Sequence, residues 1–151
     1  MHPAAPGVLF QQNHVGVYKS TDFGDGWTRI DGGLPYDFGF GLALDPGDPH
    51  ACYVIPLEPV DYSFRATDGA LDVYRYGKSG KWAKRSKGLP RKNAHVSVLR
   101  QAMAHDTESP GGVYFGTQGG TVFASSDAGR SWDKAAEYLP PVYSVTAATI
   151  A

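Results

Sequence analysis

The sequence predicts an all-β chain folded as the blades of a β-propeller, and three observations carry that prediction. A Trp-centred segment recurs three times, each copy divides into short apolar strands joined by tight turns, and glycine and proline together form about a fifth of the 151 residues. The first copy is Ser20-Thr21-Asp22-Phe23-Gly24-Asp25-Gly26-Trp27 and the third is Ser125-Ser126-Asp127-Ala128-Gly129-Arg130-Ser131-Trp132. Between them lies a worn copy, Arg75-Tyr76-Gly77-Lys78-Ser79-Gly80-Lys81-Trp82. A Leu-Pro pair follows each at constant distance, Leu34-Pro35, Leu89-Pro90 and Leu139-Pro140, and the tryptophans stand 55 and 50 residues apart.

Other landmarks keep the phase. Gly7-Val8-Leu9-Phe10 precedes the first copy as Gly112-Val113-Tyr114-Phe115 precedes the third, and the stretch from Asp45 to Pro49 matches that from Asp106 to Pro110. Each repeat then parses into four strands. Inner strand A is 40–44 and 98–104, strand B is 8–11, 52–57 and 113–116, and strand C is 16–19, 71–75 and 121–124. Strand D starts at each Trp and runs four or five residues. The blade repeats cover about 7–35, 40–90 and 98–140, and 143–150, with its apolar alternation, reads as a lone closing A strand. Four-stranded units recurring every 50 residues or so are propeller blades.

Composition removes several function classes. Fourteen basic residues against fifteen acidic ones give a net charge of -1, so neither a nucleic-acid footprint nor a polybasic membrane patch is present. No apolar run is long enough to cross a bilayer, and the N-terminus carries no signal-peptide pattern, which points to the cytoplasm if the chain is whole. The single cysteine, Cys52, excludes an internal disulfide framework and reads as a small buried hydrophobe on strand B. The five histidines show no paired ligand spacing, so no metal and no cofactor is expected.

The recurring box has readable mechanics. On a C–D hairpin, the Asp22 or Asp127 carboxylate accepts bonds from nearby backbone N–H groups, Ser20 and Ser125 support it, and Gly24 and Gly129 supply a positive-φ position. Trp27, Trp82 and Trp132 then point into the blade or between blades. This Ser-x-Asp-x-Gly-x-x-Trp box resembles the Asp-box, or bacterial neuraminidase repeat, and the chain is similar throughout to the C-terminal half of bacterial sialidase-like propellers labelled glycosyl hydrolases. The resemblance implies a carbohydrate or small acidic ligand. The Arg-Ile-Pro motif that sialidases carry does not occur; the nearest stretch is Phe64-Arg65-Ala66-Thr67.

The strands add to twelve, read as B-C-D, A-B-C-D twice and a lone A, which is three blades' worth, whereas closed propellers need about four to eight. Either the chain is part of a longer propeller, or two chains join head to tail as a homo-oligomer with six blades.

The B–C and D–A loops share the channel-mouth face, and there the ligand candidates lie. Asn13, Arg65, Asn93, His95 and Arg100 are the binding candidates, with Arg65 and Arg100 gripping a carboxylate. Glu58, Tyr62 and His14 are the acid–base candidates. Glu58, Tyr62 and Arg65 belong to a long insertion, 58–70, that strand connection does not require. Arg100 interrupts an apolar A strand, where a charge is costly unless paired or wet. The same residues also read structurally: Asn13-His14 as a hairpin turn, Glu58 as a strand end, Arg65 as a partner of Asp61 or Asp68. Two functions follow, a glycan-directed enzyme or lectin and a non-catalytic propeller scaffold that binds a protein partner.

Overall fold

Tight turns between short apolar segments leave little choice but antiparallel hairpins, and the chain forms three sheets of them. The computed structural model describes residues 1–2, 4–60 and 63–148. Blade 1 holds β1 (Leu9–Asn13), β2 (Gly16–Ser20) and β3 (Thr28–Arg29), in that order. Blade 2 holds β4 (Gly39–Asp45), β5 (Asp48–Val60), β7 (Tyr74–Tyr76) and β8 (Trp82–Lys84), with β6 (Ser63–Ala66) folded back on the end of β5 and a 3-10 turn at Thr67–Gly69. Blade 3 holds β9 (Met103–His105), β10 (Val113–Gly116), β11 (Val122–Ser125) and β12 (Asp133–Ala136), in sequential order from inner to outer edge. All pairings within the sheets are antiparallel. The chain is an all-β set of β-propeller blades. No helix among the described residues is long and apolar enough to cross a membrane.

The main core lies where blades 2 and 3 face each other. Ala51 to Leu57 is buried at every position, an unbroken apolar run rather than an alternating one, because this strand is covered on both faces. Tyr53, Ile55, Leu57, Val98, Met103, Phe115, Phe123 and Trp132 join one cluster there. Each such side chain contributes about 1.5–3 kcal/mol by leaving water. Cys52 is fully buried in the same strand, and burial pushes its thiol well above the ordinary range, which leaves it unreactive.

Tryptophans link the blades. The Trp132 indole Nε1 donates to the Arg85 carbonyl of blade 2 at 2.8 Å, and Trp82 Nε1 donates to the Ile30 carbonyl of blade 1 at 2.6 Å. In both cases the acceptor lies three residues past the preceding tryptophan. Trp27 departs from the expectation: the residue is 43% exposed and its Nε1 turns back to the Gly24 carbonyl at 3.0 Å.

The two intact Ser-x-Asp turns are superimposable in their bonding. Ser20 Oγ donates to Asp22 Oδ1 (2.7 Å) and accepts from Gly24 N–H (2.9 Å), as Ser125 Oγ does with Asp127 (2.8 Å) and Gly129 (2.9 Å). Asp22 Oδ1 accepts from Gly26 N–H, and Asp127 Oδ1 from Ser131 N–H. Gly24 and Gly129 take φ of 99° and 72°, the conformation the sequence required of them. A second repeated device, not read from the sequence, closes the A–B corners. The Tyr53 hydroxyl lies 2.9 Å from Asp45 Oδ2, and Tyr114 donates to Asp106 Oδ2 at 2.7 Å. Arg75 completes the blade 2 corner, with its Nε donating to Asp45 Oδ2 at 2.6 Å.

Five strand expectations need correction. Strand A of blade 3 is confined to β9, and 98–102 is turn and coil. The crossing from blade 2 is long, and its backbone bonds to neighbouring segments one residue at a time: Val96 O accepts from Ala66 N–H at the end of β6, and Ser97 O from Gln118 N–H in the β10–β11 turn. The described part of the closing strand, 143–148, is likewise not a strand; its ladder contact is a single parallel bridge between Ser144 and Gln101, with Val145 N–H donating to Gln101 O, while 149–150 fall outside the described residues. The insertion is a hairpin and a 3-10 turn rather than an open loop. Strand C of blade 2 spans 74–76, since Leu71 and Val73 bond to Pro90 and Arg85 at the outer crossing. The D strands of blades 1 and 2 are shorter than expected, at two and three residues.

Burial acts to raise the Asp127 carboxyl, but the Ser131 hydroxyl and N–H and the Ser125 hydroxyl outweigh it and bring the pKa from 3.8 to about 2. A depressed folded-state value stabilises the fold above about pH 4, and that contribution disappears as pH falls towards 2. Asp22, held down mainly by Gly26 N–H and then Ser20, acts in the same direction. Urea midpoints of the wild type should therefore fall more steeply below pH 4 than those of Asp127→Asn; parallel pH profiles would contradict this assignment.

Candidate functional site

The site candidates gather at the face where β1 turns into β2, where the chain crosses between blades, and where the β5–β6 hairpin projects. Asn13 is committed to its own turn, with Oδ1 accepting from Val15 N–H at 2.9 Å. That turn presents His14 to solvent, 3.2 Å from Arg100 Nη2 through Nε2. The guanidinium is the donor, so His14 is the tautomer with its proton on Nδ1. The Arg100 guanidinium also lies 4.6 Å above the Phe40 ring. Arg100 is thus exposed on a turn, not within an A strand, and ring and imidazole replace the expected channel pairing.

Three phenylalanines that the sequence reading did not single out form the base of this face. Phe38, Phe40 and Phe64 meet with ring centroids 4.8–5.3 Å apart, and His14 leans on the first two at 5.0 and 5.3 Å. The Phe38/Phe40 alternation at the D–A loop was the available signal; Phe64 arrives only through the hairpin. The Ser97 hydroxyl secures that hairpin by donating to the Phe64 carbonyl.

Beside the aromatic base, a cleft of about 500 Å³ opens between the hairpin and the chain crossing. Ser63, Phe64, Arg65, His95, Ser97 and Gln118 line it. Arg65 is half-exposed and pairs across the hairpin with Glu58, Nε to Oε2 3.3 Å, where Asp68 was an expected partner; Asp61 lies outside the described residues. His95 rests against Gly69, whose φ of 65° is the left-handed conformation that favours glycine. Arg65 and His95 therefore share one cleft, whereas Arg100 and His14 form a neighbouring patch and do not line it. Asn93 borders a separate smaller cavity of about 170 Å³ under Leu71 and Thr117. Tyr62 lies outside the described residues. Among those residues, no three His, Cys, Asp or Glu side chains converge as a metal site requires.

With this geometry in place, comparison with known proteins is informative about fold. The chain is similar to the GH74 xyloglucanase from Xanthomonas campestris, at 21% identity and a TM-score of 0.63, over 89% of this chain and 20% of that one. It also matches YCF48 bound to D1 peptide at 19% identity and a TM-score of 0.34, over 85% of this chain and 49% of that one. The chain thus spans a fifth of the xyloglucanase's length and about half of YCF48's. No protein-family model matches the sequence, and no curated protein does. The xyloglucanase likeness places the three sheets among β-propellers.

Arg100 is exposed, so its stacking and hydrogen bond contribute little to folding. Arg100→Ala should lower stability by no more than about 1 kcal/mol in urea unfolding. A loss several times larger would show that the patch is part of the core.

Proposed function

We propose that the chain is an Asp-box propeller module of the sialidase-like kind that binds a carbohydrate in the cleft between the β5–β6 hairpin and the blade crossing. The observation that carries this reading is the cleft's mixed lining. Phe64 and Val96 offer an apolar floor, and Ser63, Arg65, His95 and Gln118 offer donors and acceptors around it. Sugar rings present that combination, an apolar C–H face with hydroxyls at its rim, and a guanidinium beside it suits an acidic substituent. Glycoside hydrolysis uses two carboxyl groups flanking the bond. The described lining residues include none, and Glu58 is held by Arg65, so the reading is recognition without cleavage. A homo-oligomer belongs to the same reading, since the mouth is complete only where blades surround it.

The scaffold alternative has one observation in its favour: Tyr138, Leu139 and Tyr143 are exposed together at the exit from β12, an apolar rim suited to a protein partner.

A glycan panel spanning sialosides and neutral hexosides tests the choice. Binding should appear, and Arg65→Ala and His95→Ala should each weaken it about tenfold or more, the loss of a hydrogen bond to a charged group or its equivalent. Binding that survives both substitutions places the ligand elsewhere, and silence across the panel favours the scaffold.

A further inference from the structure

The net charge of -1, from which no polyanion surface was expected, hides an uneven distribution. Nine of the fourteen Lys and Arg residues fall between Arg75 and Arg100, and no Asp or Glu stands between Asp72 and Asp106. This stretch begins with the outer half of blade 2: β7, β8 and the chain that leaves β8 for blade 3. β8 ends the order of its sheet, so the charges line an outer edge.

The three repeats differ at this edge. Two residues past each tryptophan stands a cation: Arg29, Lys84 and Lys134. In blades 1 and 3 an acid just downstream pairs with it, Asp31 and Asp37 for Arg29 and Glu137 for Lys134. In blade 2 the positions of Asp31 and Glu137 are taken by Ser86 and Lys87. Lys84 turns instead to Asp72, and Arg91 takes the same carboxylate, so one negative charge faces two positive ones. Arg75 is committed to Asp45 and Asp48, and Arg100 to the aromatic base. Lys78, Lys81, Arg85, Lys87 and Lys92 remain, and among the described residues none of them pairs with a carboxylate. A charge or two keeps a sheet edge from pairing with other edges. Five uncompensated cations repel one another and exceed that need.

The four lysines are exposed. Arg85 is half-buried at the junction with blade 3, where its carbonyl accepts the Trp132 indole, and its Nε is buried without a hydrogen-bond partner. A parallel bridge between Lys87 and Ser131 brings in Arg130, exposed and likewise without a carboxylate. At the rise of a strand, Lys81 and Lys87 stand about 20 Å apart.

We propose that this edge binds a linear anionic polysaccharide. A chain of anionic groups matches a file of cations along one edge, and release of counterions favours the union. The Arg85 guanidinium offers an oxyanion a planar fork, and the lysines add point charges on either side. The form of the edge selects among polyanions. Single-stranded nucleic acid is held by bases stacked on exposed aromatic rings. Here Trp82 is turned inward, its ring against Tyr76 and its indole on the Ile30 carbonyl, and Tyr76 is buried. A membrane surface takes a basic face accompanied by apolar side chains that enter it. None of the large exposed hydrophobic side chains lies between Lys78 and Lys92. This surface is additional to the cleft proposed above, because none of its cations lines that cleft. Arg65→Ala should therefore leave it unchanged, and the two readings fail separately.

Isothermal titration with a heparin octasaccharide tests the proposal. Binding should be present at low salt and fall steeply as sodium chloride is raised. Lys81→Gln combined with Lys87→Gln should weaken it about tenfold or more. Arg29→Gln combined with Lys134→Gln, which removes the same charge from blades 1 and 3, should change it by less than about twofold. All four side chains are exposed, so the variants should fold. Single-stranded DNA and polyglutamate of equal charge should bind more weakly than the octasaccharide. No binding of the octasaccharide, binding indifferent to Lys81 and Lys87, an equal loss from the Arg29 and Lys134 pair, or equal or tighter binding of DNA or polyglutamate would each overturn the proposal.

Discussion

An indole N–H reaching a strand carbonyl of the preceding blade is the interaction on which this architecture depends. A small sheet exposes two faces, and neither is covered until the next sheet lies against it. The Trp132–Arg85 and Trp82–Ile30 contacts set how one sheet sits on the next, because a buried indole N–H requires an acceptor and finds it at one register only. The Ser-x-Asp turns serve the same end. By binding their own backbone N–H groups they rigidify the hairpin that ends in the tryptophan, and the ring is delivered in one orientation. In blade 1, where no other described sheet lies against it, the same hairpin forms and Trp27 stands half in water.

This dependence explains what was legible in the sequence. The turns are local: Ser125, Asp127 and Gly129 interact within five residues, so their spacing suffices to read them. The order of the B, C and D strands was legible for the same reason, whereas β6 was not foreseen and the expected closing strand does not form. Burial of a particular tryptophan was not, because it is decided by a sheet some 50 residues away. The hairpin was hidden by Pro56 and Pro59, which argue against a long strand. They are accommodated in β5, opposite Gly39 of β4 and Phe64 of β6, where the register is irregular or the pairing is a two-stranded ribbon. The extent of β9 was misread because Val98 to Ala102 has strand composition, while Ala102 N–H turns back to the Leu99 carbonyl and only the Ala102 carbonyl reaches β10, through Gly116 N–H.

The candidate site was legible in its residue types and not in its grouping. His14, Arg65, His95 and Arg100 do lie on one face, as the alternation of loops along the chain requires. Which of them meet is set by the three phenylalanines and by the hairpin. Arg65 is drawn to Glu58 because cross-strand neighbours of opposite charge sit side by side, and Arg100 is drawn to Phe40 because an exposed guanidinium gains from lying flat on a ring. The result is an aromatic base with one polar patch and one open cleft. The rigid blades beneath it allow a short hairpin and a single chain crossing to be positioned with little freedom of their own.

The central claim concerns the indole protons, and hydrogen exchange followed by NMR reads them directly. Trp82 and Trp132 should exchange slowly at every protein concentration, because their acceptors are carbonyls of the same chain, and Trp27 should exchange fast in dilute solution. Equal exchange of all three indoles, or a fast-exchanging Trp132, would contradict the account.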